Sequence, residues 1–230
     1  MPHTRRLALQ LSAKALLGLL ALPRPVLAGR RADTVDWERF LDRLSALAEA
    51  QFSEAWETDA YVEDVAALMK QLDLRDRHFR RFLRRYEDTA AGMPSIRQAH
   101  GGGHFSVATL HFEPGESIEL HDHPRMTGVI LGLRGAARVE AFDRLDARDR
   151  PDRWRLRPAG VADVRPGIHA TLTPDRGNVH ALRADVFTEL VDVFTPPYDA
   201  ERKAEFRWYE RASDPSPDGT FSAWERPKRS

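Results

Sequence analysis

Cysteine is absent from all 230 residues. That excludes disulfides, thiolate metal ligands and a cysteine nucleophile, so any metal must rest on imidazole, carboxylate or backbone oxygen. The nine histidines are therefore the residues to place. Net charge is lacking too: 35 basic side chains face 35 acidic ones, so formal charge is zero. Nothing global draws such a chain to nucleic acid or to an acidic membrane surface. Long apolar runs are also missing. The uncharged stretch Ala15 to Leu22 falls well short of the roughly 20 residues a bilayer requires, so no stable membrane span is expected. The length suits one ordinary domain with appendages, and a monomer is the expectation.

The first 30 residues read as an address before they read as structure. Arg5 and Arg6 precede an apolar stretch, Leu7 to Leu22, interrupted by Lys14, and Val26-Leu27-Ala28 offers a small-residue cleavage site. This arrangement fits a twin-arginine export signal and a periplasmic location. The alternative is an amphipathic N-terminal helix on a cytoplasmic protein.

From residue 33 to about 95 the pattern is helical. Trp37, Phe40, Leu41, Leu44 and Leu47 recur at i, i+3, i+4, i+7 spacing, and Val62, Val65, Ala66 and Met69 repeat it. The basic run Arg75 to Arg85 carries its own apolar stripe, Phe79, Phe82, Leu83 and Tyr86. Its arginines are read as the solvent face of a packed helix and not as a nucleic-acid site.

After Ala99 the texture changes. Gly101-Gly102-Gly103 predicts a turn, and short β-rich segments separated by Pro, Gly and Asp follow. Strands are expected at 105–112, 117–121, 127–133, 136–142, 168–173, 179–183 and 187–194. This spacing signals an all-β sandwich or barrel. Residues 143–163 are charged and proline-containing and read as a long connection, while 211–230 reads as a loosely packed tail.

The chemistry concentrates between Gly115 and Gly135. Alternate residues of a strand share a face, so His121 and His123 can both point into a barrel and hold one ion. A third inward ligand would complete the set. His180 and His169, the latter behind Pro166-Gly167, are both placed to supply it. Asp192 lies within the apolar run Val186 to Phe194, where a buried carboxylate requires a partner.

The segment resembles the first cupin motif: glycine, five residues, His-x-His, three or four residues, glutamate, six residues, glycine. Gly128 stands where the glutamate would be. That departure implies an all-histidine site, as in the thiol dioxygenases. Pro114-Gly115, the run Leu120 to Pro124 with Met126-Thr127, the run Leu172 to Asp175, the run Gly177 to His180, and the run Leu190 to Val193 with Pro196-Pro197-Tyr198 are similar to the cysteamine dioxygenase and plant cysteine oxidase family. The match spans roughly Phe105 to Tyr209. It implies a mainly β, double-stranded β-helix or jelly-roll cupin barrel over residues 100–210, preceded by the α-helical layer.

The resemblance further implies that His121, His123 and His180 bind Fe(2+), since the Gly-Asn-Val-His block is the one that matches. Asp192 and Tyr198 would line or support the site. Asp192 would serve either as an acceptor for a ligand imidazole N–H or as a contact for a substrate ammonium. The expected activity is addition of O2 to the sulfur of a small thiol substrate or Cys-initiated peptide, giving a sulfinic acid. The alternatives are a cupin metalloenzyme acting on a non-thiol substrate and a non-catalytic metal- or ligand-binding cupin. Arg125 replaces the glycine usual after His-Asp-His-Pro, and a contact from it to a substrate carboxylate would shift preference toward free cysteine or a thiol acid. The missing cysteine also excludes the cysteine–tyrosine crosslink of some thiol dioxygenases.

Overall fold

The computed structural model describes residues 34–52, 56–84, 94–101, 103–150, 153–197 and 205–226. The export-signal reading of residues 1–30 lies outside them, as does Tyr198.

Three helices form the N-terminal layer. Helix α1 (Trp37–Glu49) starts at Asp36, whose carboxylate accepts from the Arg39 N–H and so satisfies an otherwise orphaned donor. Helix α2 spans Thr58–Lys70 and α3 spans Arg77–Phe82, the latter capped by Asp76. The apolar stripes behave as their spacing predicts. Phe40, Leu44, Val65 and Phe79 are fully buried, and the Trp37 ring packs on Phe40, Phe79 and Phe82 at centroid distances of 5.5, 5.4 and 4.8 Å.

The strands are β1 (Ser95–Gly101), β2 (Phe105–Phe112), β3 (Ser117–Asp122), β4 (Thr127–Arg134), β5 (Ala137–Arg150), β6 (Arg153–Val164), β7 (His169–Leu172), β8 (Val179–Ala184), β9 (Thr188–Thr195), β10 (Trp208–Arg211) and β11 (Phe221–Arg226). One sheet runs β1-β2-β9-β4-β7. The others form a ring, β10-β11-β6-β5-β8-β3, closed where Trp208 pairs with His121. Every named pairing is antiparallel.

The two sheets enclose a core of Leu110, Phe112, Ile130 and Leu190 from one side and Ile118, Val139, Val164 and Leu182 from the other. The outer face of the five-stranded sheet is covered as well. Val107, Val129, Leu131, Val191 and Val193 join the helices in a second apolar cluster. Double-sided packing explains why β2, β4 and β9 are buried along nearly their whole length instead of on alternate residues. At Gly135, φ is +70° and an added Cβ would lie 2.2 Å from the Phe187 carbonyl oxygen, so the turn between β4 and β5 admits only glycine.

Three expectations are corrected. Residues 143–150 and 153–163 belong to the paired strands β5 and β6 and not to a connection. Their charges lie on exposed or partly exposed positions and are paired, as Arg157 is with Asp143, while Trp154 and Leu156 point inward. Pro158 sits at the register shift near Ala141 and Phe142, where the ladder tolerates a missing donor. The tail is not loose: β11 pairs with β6 and β10, and Ala223 is fully buried against the cluster holding Leu156 and Phe142. Its sparse apolar content hid a strand that needs only one small inward residue. Finally, Ser95–Gly101, placed between helical region and turn, is a strand paired along its length with β2.

Removing residues 221–230 should therefore be severe. Uncovering Trp154 and Leu156 exposes two large side chains, each worth about 1.5–3 kcal/mol of burial. Urea unfolding followed by fluorescence should show a lost or strongly lowered midpoint, whereas a loose tail would leave it unchanged.

Candidate metal centre

Two neighbouring strands build the site. His121 in β3 is the register partner of His180 in β8, so their side chains rise on one face of the sheet, and His123 follows two residues later on that same face. All three are buried, at 6, 9 and 3 % exposure. Their Nε2 atoms converge: His123 to His121 is 2.9 Å, His123 to His180 is 3.0 Å, and His180 to His121 is 3.3 Å. They are the group of three that can share one ion among the described residues.

The tautomer of His121 follows from its other nitrogen. Nδ1 lies 2.7 Å from the Glu119 carbonyl oxygen, which can only accept, so Nδ1 carries the proton and Nε2 presents a lone pair to the centre. Electrostatics push the same way. Burial, and then the neighbouring imidazoles, hold His123 and His180 well below the usual imidazole range, and burial lowers His121. A neutral, converging trio of nitrogen donors in a water-poor barrel is the donor set of a mononuclear divalent metal.

Aromatic rings fix the imidazoles. Phe194 stacks on His123 at 4.5 Å, Phe206 meets its edge at 5.1 Å, and Trp208 lies over His121 at 4.9 Å. Asn178 locks β8 to the ligand turn: its amide donates to the His123 carbonyl at 2.8 Å and its oxygen accepts the His123 N–H at 3.1 Å. This gives the Asn of the Gly-Asn-Val-His block a physical role.

Asp122, between the two ligands, points to the opposite face and is completely buried. Its carboxylate accepts from Arg144 at 2.6 Å, the Tyr209 hydroxyl at 2.7 Å and the Arg207 N–H at 2.8 Å. The Arg144 guanidinium in turn lies 4.7 Å over the Trp154 ring. Arg144 went unassigned because it lies in the charged stretch read as a connection, while Phe206, Trp208 and Tyr209 lie inside the matched span but outside the motif blocks that carry the resemblance. The alternation of Phe206 and Trp208 was the available signal.

A cavity opens beside the triad, walled by Gly128, Ile130, Val139, Ala141, Leu172, His180, Asp192 and Phe194, with Ala159 to Ala162 at its rim. Asp192 is 8 % exposed on β9, in the middle of its sheet between β2 and β4, and not on an edge. It shares the inward parity of Leu190 and Phe194. Burial raises its carboxyl well above the ordinary range, and the Val193 N–H pulls it partly back.

The other candidates fall away. His169 pairs with Leu131, whose side chain faces the helices. Its imidazole is lowered by partial burial and senses Lys70 and Glu63 of α2; His169 also borders the cavity but is not part of the three-histidine cluster. Arg125 has left-handed backbone, φ +59°, which explains why glycine suits this position. Its guanidinium grips both oxygens of Glu205, at 2.8 and 2.7 Å, and stands exposed. It is therefore not committed to the cavity.

Barrel and triad together define a cupin with a three-histidine metal centre. The family model PCO_ADO matches residues 66–226, and the chain belongs to that family, the cysteamine dioxygenases and plant cysteine oxidases. A mouse 2-aminoethanethiol dioxygenase is 32% identical over 126 residues, covering 46% of this chain and 49% of that one. The human 2-aminoethanethiol dioxygenase is 31% identical over 128 residues, covering 46% and 47%. The chain thus spans about half the length of the curated relatives it matches. Among solved structures, a double-stranded β-helix protein from Klebsiella pneumoniae aligns over 60% of this chain and 99% of its own at 19% identity and TM-score 0.41. A cupin from Desulfovibrio desulfuricans covers 49% and 92% at 15% identity and TM-score 0.36.

Two outcomes follow. Asp122→Asn removes the charge that Arg144 and Tyr209 were built around, and should lower unfolding free energy by about 1–3 kcal/mol in urea titrations. Metal-free protein should also lose stability on mild acidification. The three histidines have folded pKa values below their unfolded ones, so the unfolded chain binds more protons as pH falls through the ordinary imidazole range. Asp192, raised in the folded state, opposes this with one carboxyl against three imidazoles. Melting temperature should therefore drop from pH 7 to pH 5, and a flat profile would contradict the buried neutral trio.

Proposed function

We propose that this chain is an iron-dependent thiol dioxygenase in which His121, His123 and His180 hold Fe(II). The single observation that carries the proposal is the convergence of three neutral Nε2 donors beside a cavity, with no carboxylate among them. Bound there, Fe(II) would keep its full positive charge and an open face, which allows a thiolate and dioxygen to be brought together so that R–SH + O2 gives R–SO2H.

The chain's own groups define the rest. The cavity wall is largely apolar and contains no lysine or arginine, while Asp192 faces into it. A buried carboxylate without a cation is costly, and a substrate ammonium would supply the missing charge and recover its acidity. Asp192 is thus assigned to the amine of the substrate. A substrate carboxylate would meet like charge and no cation, since Arg125 is bound to Glu205. This favours cysteamine or an amidated N-terminal cysteine over free cysteine and 3-mercaptopropionate. Trp208, Phe194 and Phe206 exclude water from the ligand imidazoles and hold their orientation.

Oxygen uptake by the full chain, loaded anaerobically with Fe(II), tests this directly. Cysteamine and a Cys-initiated peptide amide should be consumed with a product carrying two added oxygen atoms, and the two carboxylate-bearing thiols should react poorly. Asp192→Asn should raise KM for the amino thiols by roughly 10-fold or more, the value of one charged hydrogen bond, with a smaller change in kcat. Silence with all four thiols at full iron occupancy would favour a cupin acting on a non-thiol substrate.

A further inference from the structure

Position 128 is where the cupin pattern carries a glutamate, and the structure supplies a physical reason for the glycine. Gly128 on β4 is the direct register partner of Phe194 on β9. A Cβ built at 128 would lie 2.7 Å from Phe194 Cε1 and 3.1 Å from Leu172 Cγ, inside contact distance before any longer side chain is added. The Phe194 ring cannot easily yield. It is 3 % exposed, packed with Met126 and Leu172, and stacked on His123 with an interplanar angle of 29°. Its backbone is held next door, where Thr195 bonds the Tyr61 hydroxyl and accepts from Thr127 Oγ1 at 2.9 Å.

We infer that Phe194 and Gly128 are a space-sharing pair that sets the ligand count: the ring fills the volume a fourth, carboxylate ligand would enter, and glycine opposite makes room for the ring. The inference rests on the three-histidine metal reading. Its consequence is electrostatic. A carboxylate beside three imidazoles would cancel one of the two positive charges of a divalent ion and compete with an incoming thiolate for a coordination position. An aromatic face does neither, while stacking holds the His123 imidazole. Phe194 is a positioning and specificity-determining residue, acting through His123.

The test is a double-variant cycle on the full chain, comparing Gly128→Glu, Phe194→Ala and the two combined. Readouts are the urea midpoint of metal-free protein, Co(II) affinity, and the thiolate-to-cobalt absorption band that develops on adding cysteamine. Gly128→Glu alone should unfold early and hold Co(II) poorly. The double variant should recover most of that midpoint, bind Co(II) about tenfold or more tighter than Phe194→Ala, and show a weakened thiolate band. Additive losses in the midpoint would overturn the shared volume. A double variant that binds Co(II) no tighter than Phe194→Ala, or keeps the full thiolate band, would overturn the control of ligand count. Wild type that takes up no Co(II) would sink the metal reading itself, and the metal-free midpoints distinguish that failure from the other two.

Discussion

A carboxylate with no exposure to solvent sits between two metal-ligand candidates, and the rest of the site depends on satisfying it. Left alone, buried Asp122 would be strongly unfavourable, because desolvating a charge costs several kcal/mol on the scale of such groups. Three donors answer it: Arg144 from the long hairpin, Tyr209 from β10 and the Arg207 N–H beside it. They add to the backbone pairing of β10 with β3, where the Asp122 N–H also donates to the Arg207 carbonyl. Together with backbone pairing, meeting that charge fixes the C-terminal strands across the barrel, where Trp208 lies over His121 and Phe206 against His123. Burial also holds the Tyr209 hydroxyl protonated, so it stays a donor.

The second face of the design is the helical layer. Strand β9 is buried on both sides, with Val191 and Val193 against the helices and Leu190, Asp192 and Phe194 turned into the barrel. Covering the outer face makes the strand rigid, and rigidity is what a facing set of donors needs. The contact between the Tyr61 hydroxyl and Thr195 ties α2 to the end of that strand. Tyr61 is pushed up to about 12 by burial, so it remains a neutral partner. The helices thus support the metal centre through β9 without contributing a group to it.

Much of the site was legible in a single strand. His-x-His puts two imidazoles on one face because the side-chain period of a strand is two, and the structure places His121 and His123 there. The same rule separates His180 from His169, yet it could not be applied beforehand, because inward and outward faces are defined only once strands are paired. Register opposite His121 turns His180 in, and register opposite Leu131 turns His169 out. Arg125 misled for a related reason: its charge was visible, but its partner Glu205 lies 80 residues away. The tail and the charged hairpin were misread because exposed strand faces share the composition of loops.

The sequence by itself determined the chemistry available: no thiolate, paired histidines at strand spacing, a glycine in place of a ligating glutamate, and an acid inside an apolar run. These are local facts, set by residue identity and by the period of the backbone. Only the tertiary structure shows that His180 joins His121 and His123 in one cluster, where Asp192 faces, what neutralises Asp122, and that Phe194 stands opposite Gly128. Those are relations between residues far apart in the chain, and antiparallel pairing across closed strands is the physical step that creates them.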